Sequence, residues 1–215
     1  MRWTWGFLMS LALAAAAACG GEEQRRADEV GAEPAVSGAA AVSDAEAVAI
    51  GDSAAVALSR ALMSRVQAAL QEGGPAYAIE FCSERALAIT AAVQDSLPGG
   101  LELKRTSTRV RNPANAPDSL EQAALAHFHS ELDAGRPLPP YHLQQTEAGW
   151  RYYKPIVVAD FCTACHGPRE SLDPAVRQVL AQRYPNDQAT GYSAGDFRGV
   201  IRVSVPAEEE VGGGS

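Results

Sequence analysis

The sequence predicts an α+β domain with an antiparallel sheet. Three observations carry this reading. Two helical periodicities follow one another early in the domain, at 45–72 and from Pro75 to about Asp95. Segments with strand-like alternation and β-branched or aromatic content come later, at 101–110, 141–147, 150–158 and 197–205. Helices and strands therefore come in blocks, with one helix between strands and another after a cysteine motif, and two of the strands form a hairpin around Glu147-Ala-Gly149. There is no internal repeat.

In chain order, residues 1–19, MRWTWGFLMSLALAAAAAC, read as an export leader. One Arg precedes an apolar run that is shorter than the ~20 residues a bilayer-spanning helix needs. Its end, Ala-Ala-Ala-Cys19-Gly-Gly, is similar to a bacterial lipobox, with Ala16 where Leu is usual. Cys19 is then the lipidated first residue of the mature protein; cleavage at an ordinary A-x-A site is the alternative. Either way the mature chain is expected in the periplasm, on a membrane anchor in the first case. Residues 20–43 are rich in Gly, Ala, Glu and Ser and read as a flexible linker, and 207–215 as a disordered tail. Residues 44–206 leave about 160 positions, enough for one domain with a real core. The formal net charge of −8 argues against nucleic acid as a partner and against a polybasic membrane patch.

In the first helix Ala55, Leu58, Leu62, Val66 and Ala69 recur at helical spacing, and Gly73-Gly74 ends it. Pro75 suits the first position of the second helix. There Ile79, Cys82, Ala86, Ile89 and Val93 make one stripe, with Glu80, Glu84 and Gln94 opposite, so Cys82 is expected to face the interior. LELKRTSTRV reads as a strand, and RNPANAPDSLE as a rigid irregular connection, because the residues before its prolines are pushed away from helical angles. Asp118 with Glu121 three residues on is a capping-box start for a helix to about Asp133, with Leu125, Phe128 and Leu132 inward. A Pro-rich loop leads to the hairpin. Asp173-Pro174 starts the last helix, ending near Tyr184-Pro185, and the final strand runs from Phe197 to Val205.

The chemistry lies in DFCTACHGPR, residues 160–169. Cys162-Thr-Ala-Cys165-His166 is C-x-x-C-H, the attachment site of a c-type haem. The two thiols add across the two vinyl groups of one porphyrin, and the adjacent His lies under the iron. A thioredoxin-like motif should open a helix, and Gly167-Pro168 follows at once, so no helix is expected to grow here. A zinc site needs further ligands, and neighbours Cys165 and His166 cannot easily both reach one tetrahedral metal. A disulfide between Cys162 and Cys165 would close a small strained ring. One covalent haem c is the reading that remains.

The chain has four cysteines. With Cys19 lipidated or removed and Cys162 and Cys165 on the haem, Cys82 has no disulfide partner within the chain. The candidates for the sixth iron position are Met63 (Met1 and Met9 leave with the leader), His127, His129, His142 and Cys82, or no ligand at all. His127 and His129 point about 200° apart on their helix, so at most one faces inward. Each candidate also has a plain packing role, and a buried free thiol is common. Arg105, Arg109 and Arg111 form a basic cluster in an acidic protein. They suit pairing with haem propionates, or else a salt-bridged surface strand.

Three stretches, RTSTRVRNPANAPDSLE, YYKPIVVADFCTACHG and YPNDQATGYSAGDFRGVIRVSVP, together resemble one family. It is the exported single-haem c-type family with a PAS-like fold, found as free bacterial and cyanobacterial cytochromes and as the sensor portion of signalling proteins. The resemblance covers residues 45–206 and rests on R-N-P-x-N-x-P-x-x-x-E, C-x-x-C-H-G and G-Y-x-x-G-D-x-R-G, in that order; Thr163 stands where members often have Leu. It implies a haem against the sheet, with His166 on one side of the iron and Cys82, from an N-terminal helix, on the other. A thiolate favours ferric iron and a low potential, whereas Met would raise it. The resemblance thus implies one-electron transfer or redox sensing through a separate redox or signalling partner. The alternative expectation is a gas-sensing module with an open iron. A haem peroxidase is the weakest, for want of a distal acid–base pair, so an enzyme is not expected.

Overall fold

The computed structural model describes residues 41–207. The expected leader with Cys19, the part of the expected linker up to residue 40 and the expected tail from 208 lie outside the described residues. Contacts among the described residues reach slightly beyond 44–206. Val42 N–H donates to Ala207 O (3.1 Å), and Trp150 Nε1 donates to Val42 O (3.0 Å).

The elements are α1 (Asp44–Asp95), β1 (Glu102–Thr106), α2 (Ser119–Asp133), β2 (His142–Thr146), β3 (Gly149–Val157), α3 (Thr163–His166), α4 (Pro174–Arg183) and β4 (Phe197–Pro206). The four strands form one antiparallel sheet in the order β1-β4-β3-β2. This is the mixed helix-and-antiparallel-sheet architecture expected.

The sheet separates two cores because side chains alternate along a strand. Leu103, Tyr152, Ile201, Val203 and Val205 pack against Ala54, Ala55, Leu58 and Leu62 of α1. Tyr153, Phe197 and Val200 pack against Ala124, Leu125 and Phe128 of α2. The sheet therefore carries α1 on one face and α2 on the other.

α1 opens with a capping box between Ser43 and Glu46. Its two expected helices meet at Gly74, whose φ of +75° is non-helical and easy only for glycine, and Pro75 then starts the second segment. Among the described residues α1 is the one helix long and apolar enough to cross a membrane, and its apolar side packs on the sheet. At Gly51 the packing is closest: a Cβ there would lie 2.3 Å from Cγ of Tyr152. Tyr152 is held behind it by a hydrogen bond from its hydroxyl to Asp52 (2.8 Å), which also pairs with Lys154 (2.6 Å). Gly51→Ala is therefore expected to lose about 2 kcal/mol despite its better helix propensity, because overpacking outweighs the gain. Urea unfolding should show a lower midpoint at an unchanged slope.

Three local expectations need correction. Leu132 is 39% exposed, because the packed stripe of α2 ends at Phe128. β1 stops at Thr106, because the Ser107 hydroxyl bonds Arg198 O (2.7 Å) and accepts from Arg109 N–H (3.1 Å), which turns the chain. A single helical turn does form across the cysteine motif, as α3, before extended Gly167 and Pro168 end it.

Candidate functional site

The cysteine motif leaves β3 and packs under the second segment of α1. Cys165 lies against the cluster of Ile79, Leu172, Val176 and Leu180, with its Sγ 4.0 Å from Pro75 O. The turn is thus wedged between α1 and α4.

Cys82, Cys162 and Cys165 are free thiols, each partly buried. Burial pushes the Cys82 thiol up, and the charges of Arg105 and Arg111 pull it back down. Burial likewise raises Cys165; Arg111 lowers it, and Cys82 and Cys162 raise it further. The stripe spacing of α1 thus turns Cys82 toward the motif, where its thiol feels Arg105 and Arg111 and acts in turn on Cys165.

His166 is the best-defined group of the site. Its Nδ1 is 2.7 Å from Ala189 O. A carbonyl only accepts, so Nδ1 carries the proton and Nε2 keeps its lone pair. Burial, reinforced by the Arg111, Arg198 and Arg105 charges, drives the ring's pKa down to about 3 against the opposing pull of the Ala189 hydrogen bond. The imidazole is therefore neutral throughout the physiological range. The loop after α4 straps this turn in place: Tyr192 N–H donates to His166 O (2.9 Å) and Gly191 N–H to Gly167 O (2.7 Å). The Tyr192 ring meets the His166 ring edge-on at 6.3 Å.

The arginines divide by partner. Arg111 donates to Cys165 O (2.7 Å), Ala189 O (3.2 Å) and Asp187 Oδ1 (3.1 Å). Arg109 donates to Gln188 O (3.1 Å) and lies 4.1 Å over the Tyr192 ring. Arg198 lies 5.3 Å over the same ring and donates to Ser107 Oγ (2.6 Å) and Arg109 O (3.1 Å). Arg105 has no carboxylate partner among the described residues. Burial lowers the pKa of both Arg105 and Arg198, yet an arginine stays charged.

The other candidate ligands lie elsewhere. Met63 is 40% exposed on the first segment of α1. His127 stacks on His142 (4.4 Å between ring centres), which stacks on Tyr153 (5.9 Å), and His129 meets Phe197 edge-on (5.2 Å). Tyr153 and Phe197 belong to the α2 face of the sheet, opposite the core of α1. Among the described residues no three His, Cys, Asp or Glu side chains group as direct ligands of a bare metal ion. Asp187, Ala189, Tyr192 and Arg198 were not picked out by residue type. Their only signal is membership of YPNDQATGYSAGDFRG, where the glycines draw the eye first.

Chemically the site offers two thiols three residues apart, one imidazole nitrogen with a free lone pair, a third thiol and several positive charges. A model of the Tll0287-like family matches residues 35–206. Among solved structures, the crystal structure of the cyanobacterial heme-protein Tll0287 is similar, with 22% identity and a TM-score of 0.53 over 74% of this chain and 94% of that one. That likeness shows a shared fold. No curated protein matches the chain. With the family model spanning most of its length, the chain belongs to the Tll0287-like family.

Proposed function

We propose that this chain is a single-haem c-type protein that works outside the cytoplasm as a one-electron carrier or redox sensor, on a PAS-like sheet. The observation that carries the reading is His166. It directly follows two spaced thiols, is neutral, and has Nδ1 tied to Ala189 O so that Nε2 is free to bind a metal. The similar fold of a protein named as a heme-protein supports it. The donor set fits the group. Cys162 and Cys165 would hold it covalently, His166 Nε2 would bind its iron, and Cys82 is the leading candidate for a second iron ligand. Arg105, free of carboxylates among the described residues, is the best candidate for a haem propionate. Arg111 spends its donors on two protein carbonyls and Asp187, so a propionate role suits it less, whereas Arg109 gives only its Nε to a carbonyl, Gln188 O, and stays a second candidate.

The haem, when bound, supplies an iron that alternates between the ferric and ferrous states. The chain keeps His166 neutral and oriented, and brings positive charge to the site, which favours an anionic ligand. In this reading Cys19 ties the protein to the membrane on the periplasmic side, and a separate redox or signalling protein receives the electron or the signal. The protein is then a carrier or sensor rather than an enzyme.

One observation favours a second reading, a gas-sensing module with an open iron. Burial raises the Cys82 thiol, which favours the neutral form, a weak ligand. Absorption spectra of the haem-loaded protein, with and without carbon monoxide, separate the two. With Cys82 on the iron, Cys82→Ala changes the ferric spectrum and speeds carbon monoxide binding. An unchanged ferric spectrum together with rapid binding in the native protein would sink the closed model. The absence of covalent haem after expression with attachment machinery would sink both.

A further inference from the structure

We infer that Arg111, braced by Asp187, is a positioning residue for His166. This rests on the reading of His166 as an axial ligand. Arg111 sits ten residues before Glu121 in the irregular R-N-P segment, where sequence alone groups it with the other basic residues. Its side chain is 13% exposed and that of Asp187 is 1% exposed. One guanidinium joins its own segment to α3 and to the loop that holds Asp187 and Ala189. Its Nη2 donates to Cys165 O, the residue before His166, at 2.7 Å, and to Ala189 O at 3.2 Å. Ala189 O is the same carbonyl that sits 2.7 Å from Nδ1 of His166. Its Nε donates to Asp187 Oδ1 at 3.1 Å, and that oxygen also accepts from Ala189 N–H at 2.8 Å.

Asp187 therefore aligns the guanidinium and also holds the N–H of Ala189, the residue whose own carbonyl sets the His166 tautomer. Its second oxygen lies 3.1 Å from Arg111 Nη2 as an ion pair but has no hydrogen-bond partner among the described residues. A buried carboxylate in that state depends on the adjacent cation. The planar fork of arginine matches these acceptors, whereas a lysine ammonium offers no such fixed spread of donors. Arg111 holds both the front and the back of the imidazole's support: the turn that carries the ring and the carbonyl that orients it. Ligand-orienting hydrogen bonds of this kind fix tautomer and ring angle at metal sites.

The test reads the His166 tautomer directly, by nitrogen NMR of the full chain without haem. The native chain should show Nδ1–H as the single form. Arg111→Gln should mix the two tautomers, cutting the preference by roughly tenfold, the worth of about one hydrogen bond. Arg111→Lys should rescue it only in part. Arg151→Gln, which breaks an ion pair to Asp118 on the α2 face, should leave the tautomer native. Should Arg111→Gln not fold, Asp187→Asn is read the same way, since it keeps an acceptor and removes the charge that braces the guanidinium. A native tautomer in a folded Arg111→Gln chain, or in folded Asp187→Asn if that variant must stand in, overturns the proposal, even if stability has fallen. A lack of haem in the native protein would sink the functional reading and leave this measurement intact.

Discussion

Replacing Cys162 and Cys165 together with alanine should abolish covalently bound haem and leave the fold in place. The two thiols are the only atoms lost. Cys165 touches its apolar cluster from the edge, alongside Ala76, Val179 and Tyr184, so the smaller alanine costs little packing there. The straps that hold the turn, from Tyr192 and Gly191 to His166 O and Gly167 O, are backbone bonds and survive the change. His166 stays tied to Ala189 O. Haem staining of a denaturing gel should fall to background, with the far-ultraviolet dichroism of the chain unchanged. Each single variant should keep a haem on one remaining thioether. Stain that persists through denaturation in the double variant would rule out attachment at these two residues.

Glu121→Ala should be the most destabilising single change in the core, at about 4 kcal/mol. Glu121 is fully buried, at 0% exposure. Its Oε2 pairs with Lys104 Nζ at 2.6 Å and accepts from Asp118 N–H at 2.9 Å, and its Oε1 accepts from Arg202 Nε at 3.2 Å. Arg202 is itself only 8% exposed. Alanine would leave its Nε without that acceptor and take half of the capping box from α2. The Glu102 pair that remains to Arg202 is solvent-facing on the Glu102 side, so it compensates poorly. The urea midpoint should drop sharply with little change in slope. A loss below about 1 kcal/mol would mean that the pair contributes no more than a surface salt bridge. Glu121 and Arg111 thus sit at the two ends of one short motif and do different work. One end secures α2 to the sheet, the other secures the turn that carries His166.

Much of the local structure is legible because its signals are local. Asp118 and Glu121 mark the start of α2, and the capping box is there. Asp173-Pro174 marks the start of α4, with Asp173 as its cap. Gly73-Gly74-Pro75 marks the break in α1. The hairpin and the last strand fall where alternation and turn residues put them. The stripe through Ile79 and Cys82 turns that thiol inward by helical geometry alone.

Other features were not legible, for stated reasons. Leu132 fits the inward stripe of α2 by spacing, yet the apolar cluster it would join ends one turn earlier. Met63 and the three histidines are chemically fit ligands, and nothing in their spacing tells which face of the sheet they join. That depends on how α1 and α2 distribute over the two faces.

Legible in the sequence alone were the class of fold, the bounds of most elements, and the two thiols and imidazole expected to carry the chemistry. Capping, periodicity and C-x-x-C-H spacing each act within about ten residues, so a single chain states them openly. The placement of Arg111 beside His166, and of the His127–His142 pair away from it, comes from contacts between distant segments. The Arg111 contacts bridge 54 residues to Cys165, 76 to Asp187 and 78 to Ala189, and His166 reaches Ala189 across 23. Two of the acceptors are backbone carbonyls, which every residue type provides, so their role is set by where the chain folds back and not by what the residue is.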